Sequence, residues 1–402
     1  MANTGSYAFH YVDGLPAGTT VSWPTIAAGC CGGNRSYRPE NTVLKINVPS
    51  TVATGTYNLT LRVESNDGIG TDVKKAIPYQ LIVEPVPGPL PKQVISAIPP
   101  IPSLSTWESN MTTKGGTFCN AANITSQGMY EGNVWFYDGI RVYYQIADYT
   151  GNASWNDCAG YVKNVFKPYV LATSGIRGWR VFPHGLQMDY LRTGDTTSKD
   201  AAIRFATDSA YSKYGGGIFP GVNDDDGLQR ETAYLIHAYR IAGLLNLPNP
   251  NPKEALYAQS VDFLLGMIDQ QFVSKTVSYT KPFYTGLVAE ALIQYYEETH
   301  DPRIPPAIKV ALDEIWSRSW ISTSNSFYYD SNSLPVVGSP DLNLLIAPAY
   351  AWIYKLTGDP VYQQRGDLIF EGGVKGAWLG GGKQFSQNYR WSFDYVKWRL
   401  HP

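Results

Sequence analysis

Charged residues and long hydrophobic runs are both scarce in this sequence. Only 16% of its 402 residues are charged, the formal net charge is −2, and Lys and Arg form no cluster. Proteins that neutralise phosphates need such clusters, so neither nucleic acid nor an anionic membrane surface is expected as a partner. No apolar stretch approaches the roughly 18 residues of a membrane-spanning helix, so no membrane insertion is predicted either.

Several motifs with a defined chemistry are also missing. The sequence contains no GxGxxG or Walker loop, no HExxH and no GxSxG, which removes nucleotide-binding, zincin and α/β-hydrolase interpretations. Its four cysteines lack zinc-ligand spacing, since Cys30 and Cys31 are adjacent while Cys119 and Cys158 lie far apart. No metal site and no cofactor are therefore predicted. For Cys119 and Cys158, a disulfide and two separate buried thiols both stay open.

What the chain has in excess is aromatic side chains. It contains 29 Tyr and 11 Trp, and aromatic residues reach 13% of the total. Many Tyr, Asn, Ser, Thr and Gly with few charges favour a secreted or periplasmic protein. The start, Met1 to Thr4, has neither the basic nor the apolar region of a signal peptide, so the alternatives are a cytosolic protein or a mature form with an added start codon.

The first part of the chain has the pattern of β-strands. Three segments alternate apolar and polar residues at a period of two: 43–48, 56–63 and 79–83. The stretch from Val48 to Tyr57 resembles the corner that leads into a late strand of bacterial Ig-like modules. We therefore predict an Ig-like β-sandwich over residues 1–86, followed by a Pro-rich linker over 87–100.

From about residue 127 the hydrophobic period becomes helical and stays so. Short turns recur with one composition: Thr150-Gly151-Asn152, Thr193-Gly194-Asp195, Thr299-His300-Asp301 and Thr357-Gly358-Asp359. Long loops rich in Gly, Pro and aromatics separate them, and the helices that follow these loops begin near 129, 180, 226, 282, 341 and 387. Six helical hairpins at this spacing predict an (α/α)6 toroid over residues 101–402, with an open solenoid as the alternative.

The last predicted hairpin lacks an outer helix, because the chain stops soon after its inner one. Residues 95–126 are the candidate to fill that gap. In a toroid the starts of all inner helices, and the long loops before them, share one face and hence one pocket.

Aromatic, carboxylate and amide side chains alternate around the rim of this predicted pocket. Flat rings stack on the C–H faces of sugars, and carboxylates, amides and Arg bind hydroxyls, so the mixture is typical of a carbohydrate cleft. The rim residues are Tyr130, Glu131, Trp135, Asp138, Trp179, Arg180, His184, Asn223, Asp224, Asp225, Asp226, Arg230, Glu231, Tyr279, Tyr284, Thr285, Tyr328, Tyr329, Asp341, Trp378, Lys383, Gln384, Gln387, Tyr389 and Arg390.

Candidate catalytic carboxylates lie in two groups. Asp224, Asp225 and Asp226 are adjacent, and in a partly dry site their mutual repulsion should raise the pKa of at least one of them toward use as a general acid. A pair formed with Glu131 or Asp138 would supply the acid and base of glycoside hydrolysis. Alternatives stay open: the three aspartates as a helix N-cap or, with less support, a Ca²⁺ loop, and Asp138 as a buried, hydrogen-bonded core residue.

A second chemistry compatible with this rim is β-elimination of a uronate. His184 or a tyrosine (Tyr130, Tyr284 or Tyr389) would take the C5 proton, and an arginine (Arg180, Arg230 or Arg390) would neutralise the carboxylate, although a lone His is often structural. Predicted substrate-binding groups in either case are Trp135, Trp179, Arg180, Arg230, Tyr284, Trp378, Lys383, Gln387, Tyr389 and Arg390. A third possibility is a non-catalytic glycan-binding protein with the same rim.

The order of Ig-like module, Pro-rich linker and six-hairpin toroid resembles the six-hairpin carbohydrate-active enzymes. These include glycoside hydrolases of endoglucanase type with an N-terminal Ig-like module, and toroid polysaccharide lyases. The Asp-Ala-Gly-Asp motif of the former and the Asn-Asn-His-x-Tyr motif of the latter are absent, so the specific family stays open. The resemblance implies a polysaccharide-degrading enzyme, with a glycoside hydrolase favoured over a lyase.

Overall fold

The chain divides into two compact units, Met1–Pro87 and Gly88–Pro402. A computed structural model describes these residues: 7–22, 45–48, 52–66, 73–83, 90–93, 95, 97–212, 228–247, 254–332 and 336–402. The described part of the first unit contains β-strands, and that of the second is mostly helical. None of the described helices is long and apolar enough to cross a lipid bilayer.

The first unit contains two antiparallel sheets in its described residues. Its strands are β1 (Tyr7–Asp13), β2 (Thr20–Ser22), β3 (Lys45–Asn47), β4 (Gly55–Asn66) and β5 (Val73–Val83). One sheet has the order β1-β4-β5, and β2 pairs with β3. The hydroxyl of Tyr57 donates to the carbonyl of Ala53 at 2.7 Å and so closes the corner that leads into β4. The predicted strands at 56–63 and 79–83 are confirmed, whereas the Ig-like sandwich stays a prediction.

The second unit contains the helices of the toroid. Its described α-helices are α1 (Leu104–Phe118), α2 (Ala121–Gln127), α3 (Gly139–Thr150), α4 (Trp155–Ala172), α5 (His184–Thr193), α6 (Thr196–Asp208), α7 (Leu228–Leu244), α8 (Glu254–Ile268), α9 (Pro282–Thr299), α10 (Ile304–Ser319), α11 (Ala347–Thr357), α12 (Pro360–Gly376), α13 (Gly382–Tyr389) and α14 (Ser392–Leu400). A short hairpin, β6 (Trp320–Ile321) with β7 (Ser326–Phe327), and a 3-10 helix, Pro340–Leu345, precede α11.

The helices form two concentric rings. Helices α3, α5, α7, α9 and α11 pack in order around the inner ring, and the broken helix α13–α14 closes it by packing on both α11 and α3. Helices α4, α6, α8, α10 and α12 lie outside them. Because the inner ring returns to its first helix, the fold is the closed toroid and not an open solenoid.

Helix α1 takes the place of the missing sixth outer helix. It packs against α12, α13 and α3, as residues 95–126 were expected to do. A disulfide between Cys119, which ends α1, and Cys158 in the first turns of α4 ties this helix to the neighbouring hairpin. Of the two alternatives that the sequence left open for these cysteines, the structure shows the disulfide.

Four turns between inner and outer helices repeat one hydrogen-bond pattern. In each, a Thr hydroxyl donates to the carbonyl of the residue four positions earlier and accepts the N–H of the Asx residue two positions later. The side chain of that Asx residue then accepts the N–H of the residue two positions beyond it. The residue between them is left-handed in every case: Gly151, Gly194, His300 and Gly358. We call the end of the toroid that carries these turns the short-turn face, and the opposite end the long-loop face.

The first inner helix begins ten residues later than predicted. Tyr137 and Asp138 both have a φ of 64°, and two successive left-handed residues cannot continue a right-handed helix. Residues 130–138 therefore form turns, and α3 starts at Gly139, where a Cβ would lie 2.0 Å from the carbonyl oxygen of Val134. Glu131 consequently lies on a loop and not at a helix start.

Candidate active site

An open cleft of about 460 Å³ lies on the long-loop face, where the first and last inner helices meet. The segment 130–134 forms one side, the glycine-rich segment 378–384 forms another, and residues of α1 and α2 complete it. The rings of Tyr130 and Trp378 are 68% and 61% exposed. Polar side chains that line the same cleft are Asn123, Gln127, Glu131, Asn133, Lys383 and Gln384.

Glycines hold the two exposed rings and join the walls. A Cβ on Gly380 would lie 2.6 Å from the indole of Trp378, and one on Gly132 would lie 2.3 Å from the ring of Tyr130. Each ring thus rests against its own loop, and both residues line the cleft. The N–H of Lys383 donates to the carbonyl of Gly132 at 3.0 Å, so the two loops are also bonded to each other.

Glu131 presents an ionised carboxylate in this cleft. Its Oε1 accepts hydrogen bonds from Nε1 of Trp179 and Nε of Arg180, both at 2.9 Å. Burial raises the pKa of Glu131, but the bonds from Trp179 and Arg180 and the charge of Arg180 outweigh it, so that the pKa is lowered. Among the described residues no group bonds to Oε2, which leaves that oxygen available to a ligand.

Arg180 is held between two aromatic rings. Its guanidinium lies 5.4 Å from the ring centre of Trp135 and 5.4 Å from that of Tyr169. Trp135 is fully buried and stacks on Phe166 at 5.3 Å. The predicted sugar platform at Trp135 therefore has no open face; the ring supports Arg180, and Arg180 in turn fixes Glu131.

Asp138 lies below the rim as a cap for two helices. Both carboxylate oxygens accept the N–H of Gly185, at 3.2 and 3.1 Å, and Oδ1 also accepts the N–H of Arg141 at 3.3 Å. Only 2% of the residue is exposed, and burial raises its pKa to about 6 against the lowering effect of Arg141 and these N–H groups. The geometry favours the core-residue alternative for Asp138.

His184 belongs to a buried pair at the toroid axis. Its Nε2 and Nδ1 of His237 lie 3.0 and 3.1 Å from the same oxygen, Oε1 of Gln294, and the two rings are 4.6 Å apart. An amide oxygen accepts, so both nitrogens carry hydrogen. Burial lowers the pKa of His184 well below its ordinary value and that of His237 to about 3, which keeps both rings neutral.

Most predicted binding residues of α13 also face the core. Arg390 is buried and donates to Oε2 of Glu290 at 2.8 Å, while Arg141 donates to Oε1 of Glu290 at 2.6 Å. The hydroxyl of Tyr389 donates to the carbonyl of Trp107 at 2.8 Å. Lys383, at the start of the helix, is the member of this group that lines the cleft, because α13 enters the packed interior after its first turn.

Other predicted rim residues lie away from the cleft or outside the described residues. Arg230 pairs with Glu231 at 2.8 Å and lies over the ring of Tyr284, which is buried. Asp224, Asp225 and Asp226 fall outside the described residues, so their roles and the Ca²⁺ alternative stay predictions. Within the described residues, no group of three His, Cys, Asp or Glu could hold a metal ion.

Sequence reasoning missed two features of the cleft. Asn123 and Gln127 line it, although α2 was expected only as part of a gap-filling segment. Asp341 was placed on the rim without a role, and the structure shows its Oδ1 accepting the backbone N–H of Trp378 at 2.5 Å. No local pattern identifies either feature, since both depend on the last inner helix returning beside the first.

Comparisons with known proteins agree with the toroid fold. An unsaturated glucuronyl hydrolase specific for heparin superposes with a TM-score of 0.55, at 9% identity over 73% of this chain and 97% of its own. A D-mannose isomerase superposes with a TM-score of 0.50, at 13% identity over 74% of this chain and 99% of its own. No protein-family model matches the sequence. No curated protein matches it either.

The chain thus has an (α/α)6 toroid fold similar to that of these two enzymes, and its specific family stays open. At these identities the likeness concerns the fold alone. Of the two structures named here, one is a hydrolase and the other an isomerase, so the reaction has to be argued from the site.

Proposed function

We propose that the protein is a glycan-degrading glycoside hydrolase whose substrate lies in the cleft. The observation that carries the proposal is the combination of two exposed rings, Tyr130 and Trp378, with the ionised Glu131 in one open cleft. Rings with a free face stack on sugars, and amide side chains such as Asn123 and Gln127 bind hydroxyls. The 460 Å³ volume lies within the ordinary range of small-ligand sites and suits a few sugar units.

Glu131 has the electrostatics of the anionic member of a hydrolytic pair. Glycoside hydrolysis passes through an oxocarbenium-like state and needs one carboxylate that stays ionised and one carboxylic acid that delivers a proton. The bonds from Trp179 and Arg180 keep Glu131 ionised while its Oε2 stays open. Glu131 would therefore attack the anomeric carbon or activate water beside it.

The lyase alternative has less support from the site. It was predicted to use His184 with Tyr130, Tyr284 or Tyr389. Tyr130 lines the cleft, but His184 is buried with its Nε2 on Gln294, and Tyr284 and Tyr389 are buried as well. A neutral, buried His184 cannot reach a uronate bound in the cleft without rearrangement of the inner ring.

A panel of polysaccharides tests the proposal. Hydrolysis raises reducing ends without the ultraviolet absorbance of an unsaturated uronate, whereas elimination raises both. Binding with no turnover would instead support the non-catalytic glycan-binding alternative, and neither binding nor turnover across the panel would refute a carbohydrate function.

We further propose that the protein works in an oxidising compartment. The Cys119–Cys158 disulfide favours a secreted or periplasmic protein, because cytosolic thiols are kept reduced. The compositional excess of Tyr with few charges points the same way.

A further inference from the structure

The rim contains four described carboxylates whose surroundings differ. Glu131 is paired with Arg180, and Glu231 is paired with Arg230. Asp138 is buried with both oxygens on backbone N–H groups. Asp341 alone of these four has neither a cationic partner within the described residues nor a fully buried position.

Asp341 is fixed beside the exposed ring of the cleft. Its Oδ1 accepts the N–H of Trp378, and its own carbonyl accepts Nε2 of Gln387 at 2.6 Å. Lys383 and Gln387 lie one turn apart on α13, and Lys383 lines the cleft. The carboxyl group of Asp341 is therefore bonded to the backbone of a residue that lines the cleft, and its Oδ2 is unbonded among the described residues.

We propose that Asp341 is the general acid that completes the pair with Glu131. This assignment rests on the proposed function. The proton on Oδ2 of Asp341 passes to the glycosidic oxygen as the bond from that oxygen to the anomeric carbon breaks. Water supplies the hydroxyl group of the new reducing end, and its second proton restores the acid directly or by way of Glu131.

The electrostatics of the two carboxyl groups differ in the direction that this chemistry needs. Burial raises the pKa of Asp341, although the N–H of Trp378 acts against it, whereas the pKa of Glu131 is lowered. Two carboxyl groups whose environments separate their pKa values can serve as acid and base at one pH.

The test compares leaving groups. The polysaccharide that the wild type hydrolyses identifies a sugar, and the 2,4-dinitrophenyl glycoside of that sugar is the second substrate. Asp341→Asn should lower kcat on the polysaccharide by about a hundredfold or more, since the leaving oxygen then lacks its proton donor. The dinitrophenolate leaves without protonation, so kcat on the aryl glycoside should stay within about tenfold of the wild type. The alkaline limb of the polysaccharide pH profile should disappear.

Three comparisons keep the assignment open to refutation. In Asp341→Asn the amide oxygen can still accept the N–H of Trp378, and thermal melting reports whether the fold is retained. Trp378→Ala should raise KM on both substrates, so an Asp341→Asn variant that does the same has only a positioning role. The proposal is overturned if Asp341→Asn loses kcat equally on both substrates. It is also overturned if Asp226→Asn, and not Asp341→Asn, loses kcat on the polysaccharide while keeping it on the aryl glycoside. A wild type that hydrolyses no polysaccharide refutes the proposed function itself, which is a different result.

Discussion

On the short-turn face four connections repeat one hydrogen-bond pattern, whereas on the long-loop face the connections differ in length and in every contact described above. The repeated turns use Thr, a left-handed residue and Asx to satisfy the ends of two helices with local bonds. The opposite loops instead hold exposed rings, an ionised carboxylate and a glycine-rich wall. The difference teaches that one face is built from local bonds that stabilise the fold, whereas the other has the exposed and polar groups on which the proposed function rests.

Replacement of Glu131 should have the largest effect on activity and very little on stability. Glu131→Gln keeps the side-chain shape but loses the charge that the reaction needs, so kcat should fall by about a thousandfold. Reducing-end assays on the substrate polysaccharide measure this loss, and thermal melting measures stability. The matched control is Asp148→Asn, since Asp148 forms an exposed pair with Arg192 on the short-turn face. An equal loss of activity in Glu131→Gln and Asp148→Asn would contradict the assignment of catalysis to the long-loop face alone.

Asp138 tests whether burial or position on the long-loop face determines what a residue does, because it lies on that side of the toroid but is buried. Its folded pKa of about 6 exceeds the ordinary 3.8, so folding takes up a proton between these values. Its contribution to the free energy of unfolding is fully present below about pH 4 and is lost as pH rises through about 6, by roughly 3 kcal/mol. Urea unfolding of the wild type and Asp138→Asn across this range should give curves that diverge with pH. Parallel curves would contradict the burial of an ionisable group here.

Loss of the Trp378 ring should weaken substrate binding by about tenfold, because one stacking platform is removed. The expected result for Trp378→Ala is a higher KM with kcat nearly unchanged, measured on the polysaccharide. Leu191, which is 68% exposed on α5 near the short-turn face, provides the control. A Leu191→Ala variant should leave KM unchanged. An equal rise of KM in Trp378→Ala and Leu191→Ala would indicate that both substitutions destabilise the toroid in general.

The smallest effect is expected from a single short turn. The Asp359 side chain accepts the N–H of Val361 at 2.9 Å and caps α12, so Asp359→Ala should cost about 1 kcal/mol of unfolding free energy. Activity should not change. Asp359→Asn retains an acceptor and should recover most of the stability; a loss as large as that of Ala would show that the cap is not the cause.

The toroid could be read from the sequence because its signals are local. Each short turn is specified by three adjacent residues, and the four of them, together with the helical period, predicted the hairpins and their order. The closing role of the segment before residue 126 followed from counting helices. Cys119 and Cys158 could be suspected but not paired, because their proximity depends on α1 packing beside α4.

The site was harder to predict because exposure is not local. Trp135 and Trp378 both precede inner helices, yet one supports Arg180 inside the core and the other lies open on its glycines. Trp135 lies in an apolar run, whereas Trp378 is followed closely by three glycines. In retrospect, this difference in flanking sequence is the signal that separates the buried ring from the exposed one. Glu131 lines the cleft, but its predicted position at the start of an inner helix was wrong, because the left-handed Tyr137 and Asp138 delay the start of α3. The outcome for Asp224, Asp225 and Asp226 lies outside the described residues.

The most direct test of the central claim is a crystal structure of Glu131→Gln with an oligosaccharide of the substrate polysaccharide. We expect a sugar ring stacked on Trp378 and a glycosidic bond lying between residue 131 and Asp341. An oligosaccharide bound anywhere else on the protein, with the cleft free of sugar, would contradict the assignment of the long-loop face as the catalytic face.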